Sequence, residues 1–85
     1  MNSGYTWSVE GEAYRYLVSL PVRRRRRVER SIETLAAHPF QPSLFADHSS
    51  EGDRLDVVEF EGFLLTYHAE HSVRRIRVTE IQPLS

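Results

Sequence analysis

Val9, Ala13, Tyr16, Leu17 and Leu20 recur at i, i+4, i+7, i+8 and i+11 and so fall on one helical stripe. This spacing predicts a helix from about residue 10, preceded by a short strand in which Tyr5, Trp7 and Val9 alternate with small polar residues. Pro21 closes that helix and can open the next one as its first residue, which brings two helices together at a tight corner. Across residues 22–37, Val28, Ile32, Leu35 and Ala36 gather within an arc of ~100° when each residue advances ~100°. That arc is the expected core face of the second helix. His38-Pro39 should end the helix, because the residue before proline avoids the α region.

Residues 40–53 hold one proline, three serines and Gly52 with no usable period, and read as a long surface connection. From Arg54 the period becomes two. Residues 54–60, 63–69 and 73–81 read as strands, joined by Glu61-Gly62 and by Glu70-His71-Ser72, links short enough to force antiparallel hairpins. Glu61 is a poor fit to a type I′ turn, which needs positive φ at both central positions, so the type of the first turn stays open. If Val58, Phe60, Phe63, Leu65 and Tyr67 face the helices, alternation sends Leu55, Val57, Leu64 and Thr66 to the opposite face. The expectation is an α+β fold, β-α-α-β-β-β, with the helical hairpin packed on one side of a twisted antiparallel sheet.

Length allows one domain, residues 1–85, since a chain this short buries only ~60% of its unfolded surface. No stretch approaches the ~20 apolar residues of a membrane span, and neither a secretion signal nor a single cysteine is present, so a cytoplasmic protein without thiol chemistry or membrane contact is expected. All eleven basic residues are arginine, which biases anion recognition toward the guanidinium fork. The net charge of −1 conceals a division into +3 over residues 1–38 and −4 over residues 39–85.

Most of the positive charge is the run Arg23 to Arg27 with Arg30. On the helical wheel Arg24 and Arg25 flank the core stripe, whereas Arg23, Arg26, Arg27 and Arg30 point away as a candidate anion-binding surface. Several positive charges in the first turns oppose the helix dipole; a solvated face neutralised by Glu29 (i+4 from Arg25) and Glu33 (i+3 from Arg30) is the competing reading. On the last strand Arg75 and Arg77 share a face, and with Arg54 they could bind an anion, or pair with Glu59 or Glu70. His68 and His71 lack the third convergent donor that a metal site wants, so neither metal nor cofactor is expected. The remaining apolar set, Leu55, Val57 and Leu64 with Thr66, would form an exposed patch of the kind that marks a protein interface, unless the long loop crosses it.

The order of elements, the His-Pro helix end, and the run Arg-Leu-x-Val-Val-x-Phe-x-Gly-Phe-x-Leu-x-Tyr of residues 54–67 resemble the RelE/ParE superfamily of bacterial toxin-antitoxin toxins. The resemblance implies a toxin, or a toxin-like protein, that is neutralised by an antitoxin wrapping the open sheet face and its rims. In the RNase branch, activity rests on basic side chains, and Leu55, Val57 and Leu64 stand where that branch tends to place them. The ParE branch, associated with DNA gyrase, does not need that set, so a protein-binding toxin is the leading expectation. The alternatives are a ribosome-dependent RNase using a rearranged set (Arg54, His68, Arg75 and Arg77) and a non-toxic interaction module. A second copy of the chain could also cover the patch. Acidic residues are expected on the partner, because Arg54, Arg75 and Arg77 would frame the patch.

Overall fold

The computed structural model describes residues 4–84. Its elements are β1 (Thr6–Val9), α1 (Gly11–Ser19), α2 (Val22–Ala37), β2 (Phe45–His48), β3 (Arg54–Phe60), β4 (Phe63–Glu70), a single 3₁₀ turn (His71–Val73) and β5 (Arg75–Pro83). The strands form one five-stranded sheet in the order β1-β5-β4-β3-β2. Both helices lie on one side of it, and the expected α+β order of elements holds.

The helical stripes do what their spacing requires. Ala13 and Leu17 from α1, and Val28, Ile32, Leu35 and Ala36 from α2, interleave with Val58, Phe63, Leu65, Tyr67, Ile76, Val78 and Ile81 in one core. Tyr16, Leu20, Trp7, Val9 and Phe60 pack against its edge. Two layers around one apolar seam are what a short amphipathic chain can close.

Two features of the sheet differ from the expectation. β1 pairs with β5 in parallel, Trp7 against Ile76 and Val9 against Val78, so the sheet is mixed and not wholly antiparallel. Alternation fixes which side chains face inward but carries no information about strand direction. The connection of residues 40–53 is also not structureless: β2 pairs antiparallel with β3, Phe45 opposite Val57 and Asp47 opposite Leu55. Its four residues are all exposed, so no apolar period betrays it.

The hairpins are tighter than their residues suggest. Glu61 and Gly62 both adopt positive φ, 49° and 89°, as a type I′ turn demands, and only the glycine does so without strain. β5 starts at Arg75, two residues later than expected, because the 3₁₀ turn and Arg74 in the left-handed region (φ 53°) complete the reversal. Within β5, Thr66 pairs with Glu80 and Tyr67 with Val78, leaving Thr79 as a bulge. The extra residue shifts the phase, so Ile76 and Val78 are followed inward by Ile81 and outward by Glu80 and Gln82.

Candidate functional site

The outer face of the sheet, turned away from the helices, divides into an apolar half and a charged half. The apolar half is a hollow of about 180 Å³ lined by Phe45, Asp47, Leu55, Val57, Leu64, Thr66, Glu80 and Gln82. All four residues expected to bind a partner, Leu55, Val57, Leu64 and Thr66, are therefore brought together. Val57 is only 6% exposed, because Phe45 and Thr66 lie on the strands either side of it. It forms the floor of the hollow and is not part of an exposed patch, so the long connection covers the face in part, through β2. Leu55, Leu64 and Thr66 are half-buried, and Phe45 is 58% exposed. Phe45, Asp47, Glu80 and Gln82 escaped sequence reasoning. β2 is too short to show a period, whereas the three-residue step from Val78 to Ile81 was a readable sign of the bulge that turns Glu80 and Gln82 outward.

The charged half contains two of the four candidate catalytic residues, each already paired. Arg77 grips Glu10 with both ends of its fork, Nε to Oε2 at 2.8 Å and a terminal nitrogen to Oε1 at 2.9 Å. This hydrogen bonding holds the Glu10 carboxyl below the usual carboxylate range and raises the Arg77 guanidinium further above its ordinary value. Arg75 lies 3.7 Å from Glu10 and 3.8 Å from Glu70, and Arg77 lies 3.9 Å from Glu70. Glu70 is thus a partner as anticipated, Glu59 is not, and Glu10, 67 residues distant from Arg77 in sequence, is the main one.

Arg54 does not join them. It is held by Asp56 at 3.1–3.3 Å, and Asp56 also accepts a hydrogen bond from Ser43 at 3.0 Å. Two residues apart on β3, Arg54 and Asp56 share the side of the strand opposite Leu55 and Val57. The same carboxylate sits across from Tyr67, whose hydroxyl is pushed up by burial and by that negative charge. Arg54 therefore does not frame the hollow, and neither do Arg75 and Arg77, which are neutralised in their own half. The rim carries Asp47 and Glu80, so the frame of arginines from which an acidic partner was expected is not the one around the hollow.

His68 Nδ1–H donates to the Arg54 carbonyl at 2.8 Å, which leaves Nε2 as the acceptor nitrogen. His71 contacts the Tyr5 hydroxyl at 2.9 Å through Nδ1 and stacks on Phe40 with ring centroids 4.8 Å apart. The two imidazoles serve separate partners, and among the described residues no group of three or more metal-ligating side chains converges. No helix among the described residues is long and apolar enough to cross a membrane.

On the far side of the molecule Arg23, Arg26, Arg27 and Arg30 are exposed and together line a second, shallow hollow of about 360 Å³. The expected Arg25–Glu29 and Arg30–Glu33 ion pairs do not form; among the described residues, the ion pairs on the helices and strands join Arg15 to Glu12, Arg54 to Asp56, and Arg75 and Arg77 to Glu10 and Glu70. Arg25 is half-buried beside the core stripe, while Arg24 is exposed.

No protein-family model and no curated protein matches the chain by sequence. Solved structures do match. The structure is similar to a chain of the archaeal RelE–RelB complex from Pyrococcus horikoshii, with a TM-score of 0.70 at 16% identity, covering 100% of this chain and 98% of that one. It is also similar to a chain of the toxin–antitoxin complex RelBE2 from Mycobacterium tuberculosis, with a TM-score of 0.69 at 17% identity, covering 94% and 98%. The chain shares the fold of these two chains over 94–100% of its length.

Proposed function

We propose that the chain is the toxin component of a type II toxin-antitoxin pair, acting in the cytoplasm by binding a protein target, as the ParE branch does, and neutralised by an antitoxin seated on the outer face of the sheet. The observation that carries this reading is the hollow: where the RNase branch places basic groups, this chain has Leu55, Val57 and Leu64, rimmed by Asp47 and Glu80. An RNA-cleaving site stabilises charge on phosphate, and one missing donor alone costs ~3 kcal/mol of transition-state stabilisation. An apolar floor with an acidic rim suits instead a polypeptide carrying an aliphatic anchor beside an arginine or lysine. DNA gyrase is the target class that the ParE reading implies.

An RNase acting on the ribosome is the second reading, and one observation favours it: His68 and Arg77 face each other across β4 and β5. The clamp of Glu10 on Arg77 weighs against it.

The test is induction in a bacterial host, alone and with the product of the adjacent reading frame. The expected outcome is growth arrest relieved by the neighbour, unchanged mRNA ends, and a complex that is lost with Leu64→Asp although the variant stays folded by circular dichroism. Codon-register cleavage abolished by Arg75→Ala or Arg77→Ala would establish the RNase instead. Complex formation without arrest would leave an interaction module, and a stable homodimer that excludes the neighbour would make a second copy the occupant.

A further inference from the structure

The arginine stripe of α2 is not explained by the fold or by the outer-face hollow. Between Val22 and Ala37 six arginines and two glutamates leave the helix at +4 in a chain whose net charge is −1. Arg23, Arg26, Arg27 and Arg30 stand at i, i+3, i+4 and i+7, so they form one face. The opposite face, with Val28, Ile32 and Leu35, is fully buried. The chain holds twelve acidic residues, yet none pairs with these four side chains among the described residues, while Arg15, Arg54, Arg75 and Arg77 are all paired. Stability alone does not account for the arrangement. The first turn of α2 contains no acidic residue and Pro21 supplies no side-chain cap, so the cations repel one another and oppose the positive end of the helix dipole.

We infer that this stripe binds the phosphodiester backbone of duplex nucleic acid without regard to sequence. The guanidinium fork matches phosphate oxygens, and four of them border one open hollow with no other lining side chain. A protein partner would need apolar or aromatic anchors there, and the hollow has none. A membrane-surface helix would keep its apolar face free, whereas that face is the core of this molecule. Single strands are held on aromatic stacking platforms, which are likewise missing from the stripe. Dimensions agree with a duplex. From Arg23 to Arg30 the helix advances about 10 Å at ~1.5 Å per residue, matching about three phosphates of one strand at ~3.4 Å of axis each. This surface lies across the molecule from the sheet hollow, so it can be occupied whether or not an antitoxin is bound.

The experiment is fluorescence anisotropy with a labelled duplex of arbitrary sequence, about 20 base pairs long, titrated with the full chain over a range of salt concentrations. Four contacts predict a slope of log K against log salt near −3.6, at ~0.9 per phosphate contact. Each single Arg→Gln change in the stripe should flatten the slope by ~0.9, and the quadruple Arg23→Gln, Arg26→Gln, Arg27→Gln, Arg30→Gln variant should abolish binding with its circular dichroism unchanged. The quadruple Arg→Lys variant should retain most of the slope, and Arg15→Gln on α1 should change nothing. Undiminished binding by the quadruple Gln variant, or no binding by the wild-type chain at low salt, overturns the assignment. So does tighter binding to a single strand of the same length, or to vesicles containing phosphatidylserine.

Discussion

Arg77 decides more about function than its place on a central strand suggests. With Glu10 held at 2.8 and 2.9 Å, its charge is spent inside the molecule, and the one basic group facing His68 across the sheet is not available to a phosphate. Glu10 is 35% exposed and Arg77 32%, so solvent screening keeps the pair to ~1 kcal/mol or less. The direction of the pH dependence follows from the lowered Glu10 value. Its contribution is fully present above the unfolded carboxylate value of ~4.3 and is lost as pH falls through the lower folded value. Urea unfolding of the wild type and Glu10→Gln should therefore differ near neutral pH and converge in strong acid; a difference that grows on acidification would refute the pairing as a stabilising contact.

At the scale of elements, the bulge at Thr79 sets the composition of the outer face. Pairing of Val78 with Tyr67 and of Glu80 with Thr66 places Thr79 outside the regular ladder. Deleting a residue from an inner strand ordinarily turns every following side chain to the other face. Deletion of Thr79 should instead leave Ile81 inward and Glu80 and Gln82 outward, because it only removes the extra residue. The expected result is a cooperatively folding variant, while deletion of Thr66 on β4, which pairs regularly with Val57 on the neighbouring strand, should abolish the thermal transition. The same scale explains what was legible beforehand. Helices and strands β3 and β4 announce themselves by unbroken periods of 3.6 and 2, and β5 by a period of 2 broken once at its bulge, whereas β2 has four residues, all exposed. Of the candidate site, Leu55, Val57, Leu64 and Thr66 were found because they follow β3 and β4 alternation. Phe45, Asp47, Glu80 and Gln82 were not, because a short edge strand and a bulge place them.

The whole molecule is two layers sharing a single seam, with opposite charge on its two outer surfaces: the arginine stripe over the helices, and Asp47 and Glu80 around the sheet hollow. One seam means one cooperative unit. At ~0.05–0.15 kcal/mol per residue an 85-residue domain has little stability to spare. Leu65 is wholly buried at the centre of the seam, so Leu65→Ala should cost about 2–5 kcal/mol and lower the thermal midpoint in a single transition. Two separated transitions in a melting curve would contradict the shared core.

By itself the sequence determined the two helices, their core stripes, the three-strand meander and the outward set of arginines, because each depends on side-chain spacing within one element. Only the tertiary structure decided that β1 runs parallel to β5, that Arg54 turns away from Arg75 and Arg77, that Val57 is buried beside Phe45, and that Glu10 neutralises Arg77. The physical reason is common to all four. Periodicity describes one segment's orientation toward the core, whereas ladder partners, strand direction and ion pairs depend on which distant segments meet, and that is settled when the layers close.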